Sequence, residues 1–322
     1  MSVSMEERRG FAFAPAHLTA FFRTFLPGDT MDKTGSAGAG FCLSKGAYTE
    51  VNVELEEGKE RERIIIYING TKREAKVTRK AVNFMLEHAR RMQWENLLDG
   101  GLKITIKTRL ELPEKSGWGM SGAGALSTVL ALREALQLPL TLYETARFAH
   151  YAELSSLTGL GDVVAQCNGG LEIRRTPGFP PYGFVDRIPV NEELRIVCLT
   201  LSDPLPTPEI LQDHEKRKKI DVAGKRALRE ILAHPTYKKF IELSMDFTMF
   251  TGLASTEIIR AIKLSRGLGK GGMAMLGNSA FFIGDTERLS STLSELGRVD
   301  ICTVDLMGAR PVKGREVKED EA

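Results

Sequence analysis

The sequence predicts an α+β fold, and three observations carry that reading. Residues 102–112 alternate with a period of two: Leu102, Ile104, Ile106, Thr108, Leu110 and Leu112 against Lys103, Thr105, Lys107, Arg109 and Glu111. Such a strand has one buried and one wet face, which suits an antiparallel sheet better than a doubly covered parallel one. A glycine-rich turn and an Ala/Leu-rich helix over about 120–136 follow directly. Elsewhere strands and helices mix without strict βαβ alternation.

Taken in order, residues 47–55 and 63–69 read as strands, the second through Ile64-Ile65-Ile66-Tyr67-Ile68. Val82, Met85, Leu86 and Ala89 mark one face of a helix over about 80–92. Pro139 stops the helix after residue 136, and Thr141-Leu142-Tyr143-Glu144 has the form of a capping box opening another helix through about Ser155. A helical stretch is expected near 158–167, then Gly169-Gly170 opens a strand at 171–174. Pro177, Pro180 and Pro181 make a rigid loop. A strand at 195–200 begins a second lobe, with helices near 209–232, 235–246 and 250–266, a strand at 279–284, a helix at 286–297 and a strand at 299–306. The expected division is residues 1–190 and 191–322, the latter ending in a mobile charged tail.

Composition excludes several function classes. The 44 basic and 42 acidic residues leave a net charge of +2, so nothing favours nucleic acid as a partner. Mixed clusters such as Glu215-Lys216-Arg217-Lys218-Lys219 read as solvated helix faces. No apolar run is long enough for a membrane span, and the first residues lack the pattern of a secretory signal. Cys42, Cys167, Cys198 and Cys302 are widely spaced and set among apolar residues, as buried free thiols of a reducing compartment would be. A cytoplasmic location is expected. The histidines show no metal-binding spacing.

Gly117-Trp118-Gly119-Met120-Ser121-Gly122 spells G-x-G-x-x-G between a strand and a helix. Glycines let backbone approach an anion closely, and the helix start offers free N–H groups. The dinucleotide reading fits poorly: the motif lies mid-chain, the turn is widened by Pro113-Glu114-Lys115-Ser116, and the acidic residue about twenty positions on, Glu144, caps a helix. A tight turn without any ligand would also need glycines.

Pro113, Gly117, Gly119, Ser121 and Ala123 match the ATP loop of the GHMP kinases, which this sequence resembles; Trp118, Met120 and Gly122 depart from it. Gly161-Asp162 followed by Gly169-Gly170 matches that family's catalytic aspartate ahead of a Gly-Gly strand start. The segments A-P-A-H-L-T, G-S-A-G-A-G-F, G-W-G-M-S-G-A-G and M-A-M-L-G-N-S resemble the archaeal pantoate kinase branch. The resemblance implies a two-lobed fold with an ATP cleft between the lobes, ATP and Mg²⁺ as cofactors, and (R)-pantoate as acceptor. It implies nucleotide contacts from Pro113, Lys115, Gly117, Gly119, Met120, Ser121, Gly122, Ala123 and Gly124, and Mg²⁺ ligation by Ser121 and Glu153. Asp162 would accept or orient the acceptor hydroxyl. His17 stands where the family has lysine and would act in catalysis or bind substrate. Arg23, the loop 35–40 with Ser36 and Gly38, and Gly277 with Asn278 complete the expected acceptor site. Met273 and Met275 are expected in the core. Family habit implies a homodimer. The rival readings are a GHMP kinase for homoserine, mevalonate or phosphomevalonate, and a non-catalytic nucleotide-binding protein of the same fold.

Overall fold

The computed structural model describes residues 8–26, 30–56, 62–94, 101–202 and 213–314. Two sheets organise them. The first is built on two very long strands, β1 (Arg8–Phe25) and β2 (Gly35–Glu56), paired antiparallel along their whole length. One half of β2 pairs with β5 (Gly101–Leu110); the other half pairs with β6 (Leu171–Thr176), which carries β7 (Phe184–Ile188). β3 (Arg63–Ile68) lies parallel to β5 and holds the short β4 (Thr71–Lys72). The predicted alternation of β5 holds: Leu102, Ile104, Ile106, Thr108 and Leu110 are buried.

Helices α1 (Lys76–Arg91), α2 (Met120–Leu136) and α3 (Leu142–Leu154) form the layer on this sheet. α2 is buried almost all round, which explains its small residues: Gly, Ala and Ser let the sheet and both flanking helices approach it. The predicted capping box opens α3, with the Thr141 hydroxyl accepting from Glu144 N–H. α4 (Asp162–Asn168) starts later than the sequence pattern suggested and leads into β6.

The second sheet runs β11 (Arg298–Cys302), β8 (Ile196–Thr200), β10 (Ser279–Gly284), β9 (Gly269–Ala274), all antiparallel. Helices α6 (Tyr237–Thr251), α7 (Thr256–Leu264) and α8 (Thr286–Leu293) pack on it. α5 (His214–Ala233) instead lies along β1, where Asp221 accepts hydrogen bonds from Thr24 N–H and hydroxyl. The chain does not end in the second sheet. Residues 303–311 return to the first, where β12 (Arg310–Pro311) pairs with β1. All four cysteines are buried and free. No described helix is long and apolar enough to cross a membrane.

Two local expectations need correction, and one strand was not expected. The glycine-rich segment 35–40 is the start of β2, not a loop; both its faces are covered, so it lacks the alternation that marks a half-wet strand. β7 lies just past the prolines of the expected rigid loop, in residues for which no element was expected. The expected strand at 299–306 ends at Cys302, beyond which the chain turns back to the first sheet. The mobile tail lies largely outside the described residues, which end at 314.

Candidate active site

A cleft open to solvent lies where the two sheets meet. β1 supplies Thr19 and Phe22 to it, and β2 supplies Ser36. The turn before α2 brings Lys115, Gly117, Trp118 and Gly119, and α2 begins with Met120 and Ser121. Glu153 ends α3, Asp162 starts α4, and the β9–β10 hairpin contributes Met275 and Leu276.

The turn is held open from several sides. Gly117 and Gly119 adopt positive φ, and so does Lys115. Trp118 O accepts from His17 N–H, Gly119 O accepts from Gln166 Nε2, and the buried Trp118 indole donates to Thr200 Oγ1 at 2.8 Å. Trp118 therefore ties the loop to the second sheet, a bond no aliphatic side chain could make. Met120 and Ser121 at the start of α2 line the cleft, and the first N–H groups of a helix have no partner within it.

Beyond the loop, three oxygens converge. Glu153 Oε1 accepts from Ser121 Oγ at 2.6 Å and Thr158 Oγ1 at 2.8 Å. Burial pushes the Glu153 carboxyl up to about 7, reinforced by the charge of Asp162 and opposed by these two hydroxyls. A buried carboxylate with hydroxyl neighbours is an oxygen-only donor set, the type a hard divalent cation takes, and a cation there would restore its charge. The residues present thus fit Mg²⁺.

Asp162 sits on the cleft wall with its side chain 22% exposed. Its Oδ1 accepts from His17 Nδ1 at 2.7 Å, and His17 Nε2 donates to Glu172 Oε1 at 3.0 Å. Arg174 Nη1 donates to the same Glu172 oxygen, and Nη2 to Thr19 Oγ1 at 3.2 Å. Burial alone would raise the Asp162 carboxyl; the hydrogen bond and charge of His17, with Arg174 behind, outweigh it and lower it below the ordinary value. Asp162 is therefore ionised at neutral pH.

Several expected site residues lie elsewhere. His17 is fully buried behind Asp162 and does not line the cleft, so it cannot meet substrate directly. Arg23 packs its guanidinium 4.4 Å from the Phe25 ring centroid, away from the cleft lining. Gly38 is enclosed by the backbone of Phe21 and Phe22. Gly277 presses on the backbone of Ser116 and Gly117, supporting the loop from behind. Asn278 Oδ1 accepts from Ser255 Oγ, the cap of α7. Of the loop residues, Pro113, Gly122, Ala123 and Gly124 do not line the cleft, and Ala123 N–H is committed to Gly119 O. Met273 and Met275 are both core as expected, and Met275 also lines the cleft. Thr19, Thr158, Glu172 and Arg174 escaped sequence reasoning. The signal for the last two was a pair of opposite charges at i and i+2 within an otherwise apolar strand start, Leu171-Glu172-Ile173-Arg174.

Residues 76–170 match the family GHMP kinases N terminal domain. A pantoate kinase of Methanocaldococcus jannaschii is 35% identical over 91% of this chain and 99% of its own. The chain belongs to the GHMP kinases, in the pantoate kinase family. A second member, the pantoate kinase of Thermococcus kodakarensis, is 32% identical over 95% of this chain and 98% of its own. A solved structure described as a phosphotransferase related to the CoA biosynthesis pathway superposes with a TM-score of 0.80 at 30% identity. It covers 96% of this GHMP kinase and 100% of its own chain.

Proposed function

We propose that this GHMP kinase transfers the γ-phosphoryl group of ATP to the primary hydroxyl of (R)-pantoate, giving 4-phosphopantoate and ADP in coenzyme A biosynthesis. The observation that carries this reading is the convergence of Lys115, Ser121, Glu153 and Asp162 on one cleft. The pantoate kinase relatives support the choice of acceptor.

Phosphoryl transfer asks a protein for positioning and charge neutralisation more than for covalent chemistry. Backbone N–H groups from Gly117 to Ser121, with the Lys115 ammonium, suit the nucleotide phosphates. Ser121 Oγ and Glu153 would hold Mg²⁺, which would draw charge off the transferring phosphoryl oxygens. Asp162 has Oδ1 engaged by His17, leaving Oδ2 for the acceptor hydroxyl. The hydroxyl oxygen bonds to the γ-phosphorus, the bond to the bridging oxygen of ADP breaks, and the proton passes to Asp162. A carboxyl held below its usual range is a weak base; it suits a reaction in which the proton leaves late. Thr19 and Ser36, backed by the buried Arg174 cation, suit the pantoate carboxylate. Phe22, Met275 and Leu276 offer an apolar wall for its dimethyl carbon.

The test is ADP release with ATP, Mg²⁺ and a panel of alcohols. Turnover is expected with pantoate and not with homoserine or mevalonate; turnover on mevalonate alone would remove the proposal. Asp162→Asn is expected to lower kcat by about 10²- to 10⁴-fold with ATP affinity kept. ATP binding with no turnover on any of these alcohols would point to the non-catalytic reading, and a kcat indifferent to Asp162→Asn would remove Asp162 from its role. We further propose a cytoplasmic enzyme that works as a homodimer, which sedimentation would check.

A further inference from the structure

We propose that Glu172 and His17 form a positioning relay for Asp162, and that Gly40, in the glycine-rich start of β2, lets this relay close across the strand. The inference rests on Asp162 being the partner of the acceptor hydroxyl, as above.

β2 runs between β1, which carries His17, and β6, which carries Glu172 and Arg174. A side chain on the middle strand would keep the outer two apart. At the crossing point stands Gly40, paired with Thr19 on one side and Glu172 on the other. A Cβ there would lie 2.5 Å from His17 Nε2 and 3.0 Å from Cε1. The imidazole thus occupies the space a side chain at position 40 would take, and through that gap it reaches Glu172.

The hydrogen bonds then dictate the charge. Both ring nitrogens of His17 face carboxylate oxygens, at 2.7 Å to Asp162 and 3.0 Å to Glu172. An ionised carboxylate only accepts, so both nitrogens must donate, and His17 is an imidazolium. Arg174 Nη1, which can only donate, bonds to the same Glu172 oxygen and marks it as an acceptor. The approach of Arg174 Nη1 to His17 Nε2 at 3.4 Å is then two donors converging on that oxygen. The charged groups around the ring are Asp162 from α4 and Glu172 and Arg174 from β6, with Glu153 of α3 acting on Asp162 by charge. Two acids and two bases in a row balance, with His17, Glu172 and Arg174 at 0–1% exposure. Burial disfavours a charged His17, but its bonds and the charges of both carboxylates more than offset this, consistent with the geometry. His17 thereby supplies, in buried form, the fixed cation that family lysine would supply. Its task is to fix the rotamer and charge of Asp162, not to touch substrate.

The experiment is a double-mutant cycle on the full-length enzyme with Glu172→Gln and Asp162→Asn. Glu172→Gln alone is expected to lower kcat about 10- to 100-fold, with KM for ATP within about twofold of the parent. In the Asp162→Asn background the same change is expected to cost almost nothing further, because its effect passes through Asp162. An equal loss in both backgrounds, or no loss in the parent, overturns the relay. Nitrogen-15 NMR of the unmodified enzyme reads the ring independently of any variant: both His17 nitrogens are expected to carry protons at pH 7.5, and a neutral ring overturns the proposal. If Asp162→Asn alone leaves kcat unchanged, the assignment of Asp162 itself fails, which the ring spectrum would not report.

Discussion

At the scale of single residues, the site is defined as much by missing side chains as by present ones. Gly277 is the clearest example, because a Cβ there would lie 2.1 Å from the Ser116 carbonyl carbon and 2.2 Å from Gly117 N. Backbone cannot yield as a flexible side chain can, so the phosphate turn must shift. Gly277→Ala is expected to raise KM for ATP at least about tenfold, since N–H groups displaced by an ångström lose their anion. It is also expected to lower stability by about 1–3 kcal/mol; nucleotide titration and urea unfolding check the two separately. Asp162 was legible because its neighbours Gly161, Gly169 and Gly170 form a pattern along the chain. His17 was legible as a special position but not in its role. Its partners, Glu172 and Arg174, lie 155 and 157 residues away, a relation that only strand pairing creates. The nucleotide loop was legible in outline, whereas which of its residues face the cleft depended on the twist of one turn.

At the scale of elements, α3 joins a readable start to an unreadable interior. Its capping box was plain in Thr141-Leu142-Tyr143-Glu144 and is formed. His150, on the same helix, gave no sequence signal, yet burial lowers it to about 4. Its Nε2 donates to Met31 O at 3.3 Å, and its ring stacks on Phe179 at 5.0 Å between centroids. The carbonyl bond and the nearby Asp32 charge oppose the effect of burial without cancelling it. The sign of the pH dependence follows. The folded protein holds His150 neutral, while the unfolded chain protonates it below about 6.5. Stability from this group is therefore full above pH 6.5 and falls as pH drops toward 4, by roughly 3 kcal/mol in all. His150→Gln is expected to flatten that fall, measured as Tm between pH 7.5 and 4; an unchanged slope would place the acid sensitivity elsewhere. Strands β1 and β2 show the opposite case. Covered on both faces and rich in Gly and Ala over residues 35–40, they lack the alternation that betrayed β5.

At the scale of the whole molecule, the mixed α+β character was evident from the order of segments, but the route of the chain between the two sheets was not. The sequence suggested a handover near residue 190; the first strand of the second sheet is Ile196–Thr200. Residues 303–311 then cross back. Asp305 N–H donates to Cys42 O, Gly170 N–H donates to Asp305 O, and Ala309 N–H donates to Gln166 O. No local pattern announces such a return, because its partners are backbone groups of distant strands. The buried Asp305 side chain organises it: Oδ1 accepts from Met307 and Gly308 N–H, and Oδ2 pairs with Arg310 at 2.9 Å. Trp118, bonded to Thr200, makes a second stitch between the sheets at the phosphate turn. With both stitches in place, neither sheet can open without stripping partners from the other. Asp305→Ala leaves the buried Gly308 N–H unpaired and is expected to cost about 1–3 kcal/mol. The cost should fall on both sheets together. Urea unfolding followed by far-UV circular dichroism and by tryptophan fluorescence, which reports Trp94 and Trp118, is expected to give coincident transitions in the parent. In the variant both are expected to shift to lower urea by the same amount. A fluorescence transition that moved while the dichroism stayed would mean that the turn unfolds on its own, and that the returning segment does not couple the sheets.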